Sequence, residues 1–140
     1  MKIYMSGSMY GGTQKIETYK ILIKELKKYG EILNDNIADE NAIAKEVFQK
    51  DEEIYNELEN KLRIADLVFA EVTVPSLGVG YELGLADQLK KKTIAIYNQT
   101  MTKKVSTMIR GNKRITLIPY TDISEITNNL DKILNVEIKK

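Results

Sequence analysis

The residues best suited to chemistry lie in one stretch, EVTVPSLGVGYELG at residues 71–84, which contains Ser76, Gly78, Gly80 and Glu82. The apolar run before it predicts a buried strand and the segment after it predicts a helix. Open α/β sheets bind ligands just beyond the carboxyl ends of such strands. We expect Glu82 to lie in about the first turn of that helix, where the helix dipole favours an ionised carboxylate. Such a carboxylate can attack an electrophilic carbon or accept a proton.

Composition narrows the chemistry further. The 140 residues include no cysteine and no histidine, and the net charge is +1. The absence of cysteine excludes disulfides, thiolate catalysis and Cys-ligated metals, and the absence of histidine removes the commonest general base and metal ligand. Chemistry must therefore use carboxylates, hydroxyls, lysine, arginine and backbone amides. A charge near zero gives no attraction to nucleic acid polymers or anionic lipid.

The elements that must position these residues alternate along the chain. Apolar segments predict five strands at residues 2–6, 31–33, 67–70, 93–97 and 115–118. Helical patterns lie at residues 13–29, at 41–65 with a break near 50–52, from about 80 to 91, at 106–110 and at 123–134. This alternation predicts a parallel sheet covered by helices on both faces, in one domain spanning residues 1–140.

A glycine-rich loop, GSMYGG at residues 7–12, follows the first strand. Its glycines permit close approach of the backbone to a ligand. Its spacing matches neither GxGxxG nor GxxxxGK, so neither a dinucleotide site nor a P-loop is predicted. Taken alone, the loop is explained by a strand-to-helix turn. No segment is long and apolar enough to span a bilayer and no signal peptide is recognised, so a cytoplasmic protein is expected.

Four segments in this order carry a resemblance to a known family: GSMYGG at 7–12, ADLVFAEVT at 65–73, PSLGVGYELG at 75–84 and STMIRG at 106–111. Together they resemble the 2'-deoxynucleoside 5'-phosphate N-hydrolases of the nucleoside 2-deoxyribosyltransferase superfamily. The resemblance covers nearly the whole chain. It implies a flavodoxin-like or Rossmann-like three-layer sandwich with a five-stranded parallel sheet, and a homodimer. It also implies hydrolysis of 2'-deoxynucleoside 5'-monophosphates to a free base and 2-deoxyribose 5-phosphate.

The resemblance assigns roles to individual residues. It implies that Glu82 attacks C1' of the deoxyribose and forms a glycosyl-enzyme ester that water opens, and that Tyr4 positions nucleophile and sugar. It implies that Ser106 reaches the phosphate from the other subunit. The substrate site that it implies comprises Gly7, Ser8, Tyr10, Gly11, Gly12, Ser76, Gly78, Ser106 and Met108. No metal or cofactor is expected, because carboxylate substitution at this carbon needs none.

The resemblance implies that Ser76 matches a phosphate-binding serine of the hydrolases, whereas two other positions, Tyr10 and Leu58, depart from the family pattern. The resemblance places Ser76 where transferases of unphosphorylated nucleosides carry an aspartate, and a hydroxyl removes repulsion of a phosphate dianion. Tyr10 stands where the family usually has an arginine, so a bidentate charged contact is lost. Leu58 stands at the position of the aspartate thought to protonate the departing base. Its neighbours Glu57 and Glu59 each point about 100° away around a helix.

Each assigned residue also has a purely structural explanation. Glu82 can complement its helix dipole, and Ser76 and Ser106 can be ordinary loop or cap residues. Tyr4 can be a core or interface aromatic residue. Asp66 is expected to be a structural residue at the start of the third strand.

Two alternatives to the hydrolase remain open. One is base exchange between deoxynucleosides, which Ser76 disfavours. The other is a nucleotide-binding protein with little turnover, which Leu58 and Tyr10 favour. For Arg110, a contact with phosphate and a surface salt bridge are equally compatible with the sequence.

Overall fold

Five parallel strands form the centre of the molecule, in the order β2-β1-β3-β4-β5. The computed structural model describes residues 1–9, 13–102 and 104–138. The strands are β1 Lys2–Gly7, β2 Glu31–Ile32, β3 Leu67–Glu71, β4 Lys92–Asn98 and β5 Ile115–Tyr120. The five predicted strands and their parallel pairing are confirmed. This order is the flavodoxin-like one, in which ligands bind at the switch point between the first and third strands.

Helices connect the strands: α1 Thr13–Leu26, α2 Ala42–Glu46, α3 Asp51–Ile64, α4 Leu77–Gln88, α5 Thr107–Arg110, α6 Ser124–Thr127 and α7 Leu130–Ile138. The break predicted within residues 41–65 separates α2 from α3. A short 3-10 turn, Asp35–Ala38, lies in the segment expected to be a loop. Two expectations were wrong. The closing helix is divided into α6 and α7, and α4 begins at Leu77 rather than near residue 80.

Two hydrophobic clusters cover the two faces of the sheet. Strand side chains alternate between faces with a period of two, so neighbours along β1 enter different clusters. Ile3 and Met5 pack with α1, α6 and α7, whereas Tyr4 packs with α3 and α4. Ser6, two residues after Tyr4, shares its face. The side of the sheet that receives α3 and α4 is therefore the side on which candidate catalytic groups collect.

At the edge of the sheet beside β1, an asparagine side chain supplies hydrogen bonds to the strand backbone. Asn34 follows β2, is buried, and accepts a hydrogen bond from the Met5 backbone N–H at 2.7 Å. Its own amide donates to the Met5 carbonyl. Strand β2 pairs with β1 over only two residues, and the two bonds from Asn34 extend this pairing by hydrogen bonding to Met5. The backbone between Tyr4 and Ser6 is thereby fixed.

Within the part of the chain that the structure describes, no helix is long and apolar enough to cross a membrane. The same residues contain no group of three or more His, Cys, Asp or Glu side chains arranged to hold a metal ion.

Candidate active site

Glu82 lies against the carboxyl end of β1, between the two residues that share its face. The Tyr4 hydroxyl donates a hydrogen bond to Oε2 of Glu82, and the Ser6 hydroxyl donates to Oε1 at 3.4 Å. Tyr4 and Ser6 are buried, whereas Glu82 keeps partial exposure. The carboxylate is therefore held by two hydroxyl groups, in a residue that is neither fully buried nor fully exposed. Tyr4 and Glu82, predicted to act together, are brought into contact.

The expectation that the helix dipole keeps Glu82 ionised was wrong. Because α4 begins at Leu77, Glu82 lies in the second turn, beyond the reach of the terminal dipole. Burial instead raises the pKa of Glu82 to about 7, and the hydrogen bonds from Tyr4 and Ser6 oppose this rise. Burial and the adjacent Glu82 carboxylate raise the pKa of Tyr4, so the phenol stays protonated and remains a donor.

A pH profile should report this environment. If ionised Glu82 is the nucleophile, kcat/KM should rise with pH through about 7, because the pKa of the free carboxyl is about 7. The Tyr4 bond lowers that pKa, so Tyr4→Phe should move the acidic limb to higher pH as well as lower the maximum. The measurement is kcat/KM for base release between pH 5 and 9. An unchanged limb in Tyr4→Phe would contradict the assignment.

Ser76 and Ser106 begin α4 and α5, and both act as helix caps. The Ser76 hydroxyl accepts from Val79 N–H at 3.3 Å, and the Ser106 hydroxyl accepts from Met108 N–H at 3.3 Å. Each hydroxyl serves as an acceptor in its cap, so its own proton is free of that bond and can point to an anion. The capping predicted for Ser106 is confirmed, while the phosphate roles of both serines stay predictions.

A groove of about 890 Å³ brings together Ser76, Ser106 and Met108. It runs between α4 and α5, and apolar side chains such as Val79 and Ile109 form much of its wall. Glu82 does not line this groove, so within one chain Ser106 and the carboxylate face different spaces. Gly78 is exposed at the start of α4, and a methyl group there would meet only the Ser76 hydroxyl, at 3.9 Å.

The glycine loop is anchored where β1 ends. A Cβ on Gly7 would lie 2.7 Å from the Tyr19 hydroxyl, so the close approach that requires glycine here is to Tyr19. Ser8 is buried, and its carbonyl accepts a hydrogen bond from the Tyr19 hydroxyl at 2.7 Å. The other predicted loop residues, Tyr10, Gly11 and Gly12, lie outside the described residues.

On α3, an apolar residue, Leu58, stands where the resemblance implies an aspartate. Leu58 packs against the apolar cluster that contains Tyr4. Glu57 accepts from Lys61 at 2.9 Å and Glu59 accepts from Arg63 at 2.6 Å, both in i,i+4 ion pairs on the helix surface. Neither of these carboxylates is engaged with Glu82 in the structure.

Two further predictions concern Asp66 and Arg110. Asp66 accepts the Lys2 backbone N–H at 2.7 Å, which confirms the structural role at the start of β3. Arg110 donates from Nε to the Val105 carbonyl at 2.7 Å, so it anchors the loop before α5, a contact that neither alternative anticipated.

Sequence analysis missed a buried polar cluster around Glu71, the last residue of β3. Glu71 forms an ion pair with Lys15 of α1 at 3.1 Å, and both side chains are almost fully buried. It also accepts hydrogen bonds from the Thr73 backbone N–H and hydroxyl, each at 2.7 Å, and from the Tyr120 hydroxyl. A charged residue that ends an apolar strand was the available signal. Ser6 was also missed, although its spacing from Tyr4 placed both on one strand face.

Two exposed aromatic residues form a contact between α3 and α4. Tyr55 of α3 and Tyr81 of α4 contact edge to face, with ring centroids 6.2 Å apart and an interplanar angle of 74°. A hydrogen bond with Tyr81 is the largest of the contributions that raise the pKa of Tyr55 to about 12. The pair joins α3 to the turn of α4 that contains Glu82 in sequence.

The chain is similar in sequence and in fold to proteins of one family. The family model described as nucleoside 2-deoxyribosyltransferase matches residues 3–129. A Nematostella vectensis protein, whose name assigns it as a candidate 2'-deoxynucleoside 5'-phosphate N-hydrolase 1, is 42% identical over 79% of this chain and 76% of its own. The Danio rerio 5-hydroxymethyl-dUMP N-hydrolase is 36% identical over 89% and 88%. The structure of a Clostridium botulinum CMP N-glycosidase superposes with a TM-score of 0.71, at 19% identity, over 95% and 99%.

Proposed function

Because the chain belongs to the nucleoside 2-deoxyribosyltransferase family, we propose that it is an N-glycosidase that hydrolyses 2'-deoxynucleoside 5'-monophosphates. The products are a free base and 2-deoxyribose 5-phosphate. The observation that carries this proposal is the Glu82 carboxylate, which is held by the Tyr4 and Ser6 hydroxyls at the switch point of the sheet, in a residue that keeps partial exposure. The names of its relatives, as N-hydrolases of nucleotides, support the same reaction class.

In the proposed reaction, Glu82 acts as a nucleophile. A carboxylate oxygen bonds to C1' of the sugar while the C1'–N bond breaks and the base leaves with the bonding electron pair. Water then attacks C1', the ester bond to Glu82 breaks, and a proton is released as the carboxylate re-forms. This is the double displacement of retaining glycosidases, in which the transition state resembles an oxocarbenium ion. Tyr4 and Ser6 orient the two carboxylate oxygens before and after each displacement.

The neighbouring loops supply groups suited to a phosphate. We propose that the 5'-phosphate contacts Ser8, the backbone of residues 7–12 and the Ser76 hydroxyl. Ser76 lies at the N-terminus of α4, where backbone N–H groups and the helix dipole favour an anion. Its hydroxyl adds a donor without adding negative charge. Tyr10, Gly11, Gly12 and Gly78 remain part of this proposed site.

Residue 58 is a leucine, so no carboxylic acid at this position can protonate the departing base. Leu58 contributes apolar contact, and Glu57 and Glu59 are engaged with cations on the α3 surface. General acids contribute about 10²–10⁴-fold to rate. We therefore expect slow turnover, fastest for bases that leave easily.

Base release tests the proposal directly. The protein is incubated with the four deoxynucleoside monophosphates, 5-hydroxymethyl-dUMP, the matching ribonucleotides and the unphosphorylated nucleosides, and free base is measured by liquid chromatography. We expect release from deoxynucleoside monophosphates and not from nucleosides. Adding a second free base distinguishes exchange, which would yield a new nucleotide, from hydrolysis. Binding of a monophosphate without release would instead indicate a nucleotide-binding protein.

We also propose that the protein is a homodimer in which Ser106 reaches the phosphate bound by the partner subunit. The surface around the α4–α5 groove supports this, because Leu77 is 97% exposed and Met108 is 83% exposed. A second copy of this surface would cover both side chains and bring Ser106 towards the phosphate site of the partner. The cytoplasmic location expected from the sequence stays a prediction.

Replacing Met108 should test this assembly. The change Met108→Asp places a charge in the proposed contact, where an unpaired buried charge is strongly unfavourable. Light scattering should then show a monomer, and base release should fall together with the dimer. The matched change Phe48→Asp, which places the same charge at an exposed apolar residue outside the lining of the groove, should leave the mass unchanged. A monomeric wild type would contradict the proposal.

A further inference from the structure

Glu71 stands outside the proposed chemistry, yet it is the best-connected buried carboxylate among the described residues. Its side chain has no exposed surface, and it takes donors from three separate elements. Lys15 comes from α1, Tyr120 from the end of β5, and Thr73 from the connection between β3 and α4. The Glu71 side chain therefore links the end of β3 to α1, to β5 and to the connection that leads to α4.

Two of these three elements carry the groups assigned to the phosphate. Lys15 lies in the first turn of α1, directly after the loop at residues 7–12. Thr73 lies in the connection between β3 and α4 and precedes Ser76 by three residues. In the sheet, Gly7 is the direct neighbour of Glu71 across β1 and β3. Glu71 therefore lies below the point where the two halves of the proposed phosphate site meet.

Both halves are fixed by more than one bond. The Tyr19 hydroxyl, one turn along α1 from Lys15, donates to the Ser8 carbonyl. On the other side, the Thr73 hydroxyl both donates to Glu71 and accepts from the Asn98 N–H at 2.9 Å. Rotation of the Glu71 side chain would thus disturb α1 and the Thr73–Ser76 connection at the same time.

We propose that Glu71, held by Lys15, Thr73 and Tyr120, is a positioning residue that sets the spacing between the two phosphate-binding segments. The inference rests on the proposed function, because it takes the phosphate site from there. The carboxylate does not touch the substrate. It acts through the backbone of Gly7 and Ser8 and through Ser76, so its loss should weaken recognition of the phosphate and spare recognition of base and sugar.

The test compares two ligands that differ only in the phosphate. Binding of a deoxynucleoside monophosphate and of the corresponding deoxynucleoside is measured by calorimetry in a Glu82→Gln background, which prevents turnover. Tyr120→Phe and Thr73→Val each remove one hydroxyl from Glu71 and leave the Lys15 ion pair in place. Because a hydrogen bond to a charged group is worth about a factor of ten or more, we expect the Kd for the monophosphate to rise about tenfold. The Kd for the nucleoside should be unchanged.

A control separates positioning from general loss of stability. Ile32→Val removes a methylene group from the buried edge strand β2, away from Glu71, and should lower the melting temperature without changing either Kd. Equal weakening of both ligands in Thr73→Val and Tyr120→Phe, or no weakening, would overturn the inference. The inference would also be overturned if the Glu82→Gln protein without further changes bound the nucleoside as tightly as the monophosphate. If the unsubstituted protein releases no base while the phosphate-dependent loss is observed, the proposed function fails and the positioning role stands.

Discussion

Replacing Glu82 with glutamine is expected to reduce base release by at least about 10³-fold, as removal of a catalytic nucleophile does in other enzymes. Glutamine keeps the size of the side chain, and its carbonyl oxygen still accepts from the Tyr4 hydroxyl. It has no carboxylate to form the ester with C1'. Substrate binding should therefore survive while kcat collapses. The measurement is single-turnover release of base together with calorimetric binding of the same monophosphate.

Stability provides an independent readout for this variant. The folded-state pKa of Glu82, about 7, exceeds its ordinary value of 4.5. The folded protein therefore holds the proton more tightly than the unfolded chain, and the contribution of this group to stability falls as pH rises from about 4.5 to about 7. Above pH 7 the wild type contains a buried charge that glutamine lacks. We expect the Glu82→Gln variant to melt at a higher temperature than the wild type at pH 8.

A matched substitution elsewhere controls for the loss of a carboxylate. Glu25 of α1 accepts a hydrogen bond from Lys28 at 2.6 Å, far along the chain from the candidate site. Glu25→Gln removes the same charge and should leave base release unchanged. A wild-type protein that is no faster than Glu82→Gln would exclude the catalytic role of Glu82.

Replacing Ser76 with aspartate is expected to lower kcat/KM for monophosphates by about 100-fold or more. Two unit charges 4 Å apart near a protein surface interact with about 4 kcal/mol, and solvent screening removes part of this repulsion. Aspartate is as good an N-cap as serine, so α4 should begin at the same residue. The loss should therefore arise from repulsion of the phosphate dianion. Activity on unphosphorylated nucleosides should be equal to or greater than that of the wild type.

The asparagine variant is the appropriate control for this experiment. Ser76→Asn has nearly the same shape as Ser76→Asp, caps the helix well and is neutral. It should lose much less activity on monophosphates than the aspartate variant, and the difference should shrink in high salt as the charges are screened. Equal losses in the two variants would show that Ser76 acts through shape, and the proposed phosphate contact would be wrong.

Much of the fold could be predicted from the sequence because apolar residues recur with different spacing in strands and in helices. The five apolar segments identified the five strands, and alternation with helices identified their parallel arrangement. The position of Glu82 after a strand and a loop identified the edge of the sheet at which it lies. Where expectations failed, the competing signals were local. Ser76 caps α4 earlier than the glycines suggested, and the closing segment breaks between α6 and α7.

The sequence by itself determined which chemical groups are present and roughly where they lie along the elements. Without histidine or cysteine, the chemistry was left to carboxylates, hydroxyls, lysine, arginine and backbone amides, and Glu82 was the carboxylate predicted at the edge of the sheet. Its electrostatic environment was decided only by the tertiary structure. Tyr4 and Ser6 are more than 70 residues away in the chain, and their contacts together with burial give the carboxyl a pKa of about 7.

The buried cluster around Glu71 was likewise decided by folding. Its partners Lys15 and Tyr120 are separated from it by 56 and 49 residues, so no local pattern joins them. Side-chain periodicity reports which face a residue occupies, because that depends on backbone geometry over a few residues. Desolvation and ion pairing depend on what distant segments place opposite that face. For this reason the sequence identified Glu82 as a candidate, and only the tertiary structure showed that Glu82 is partly exposed and that Glu71 is fully buried among its partners.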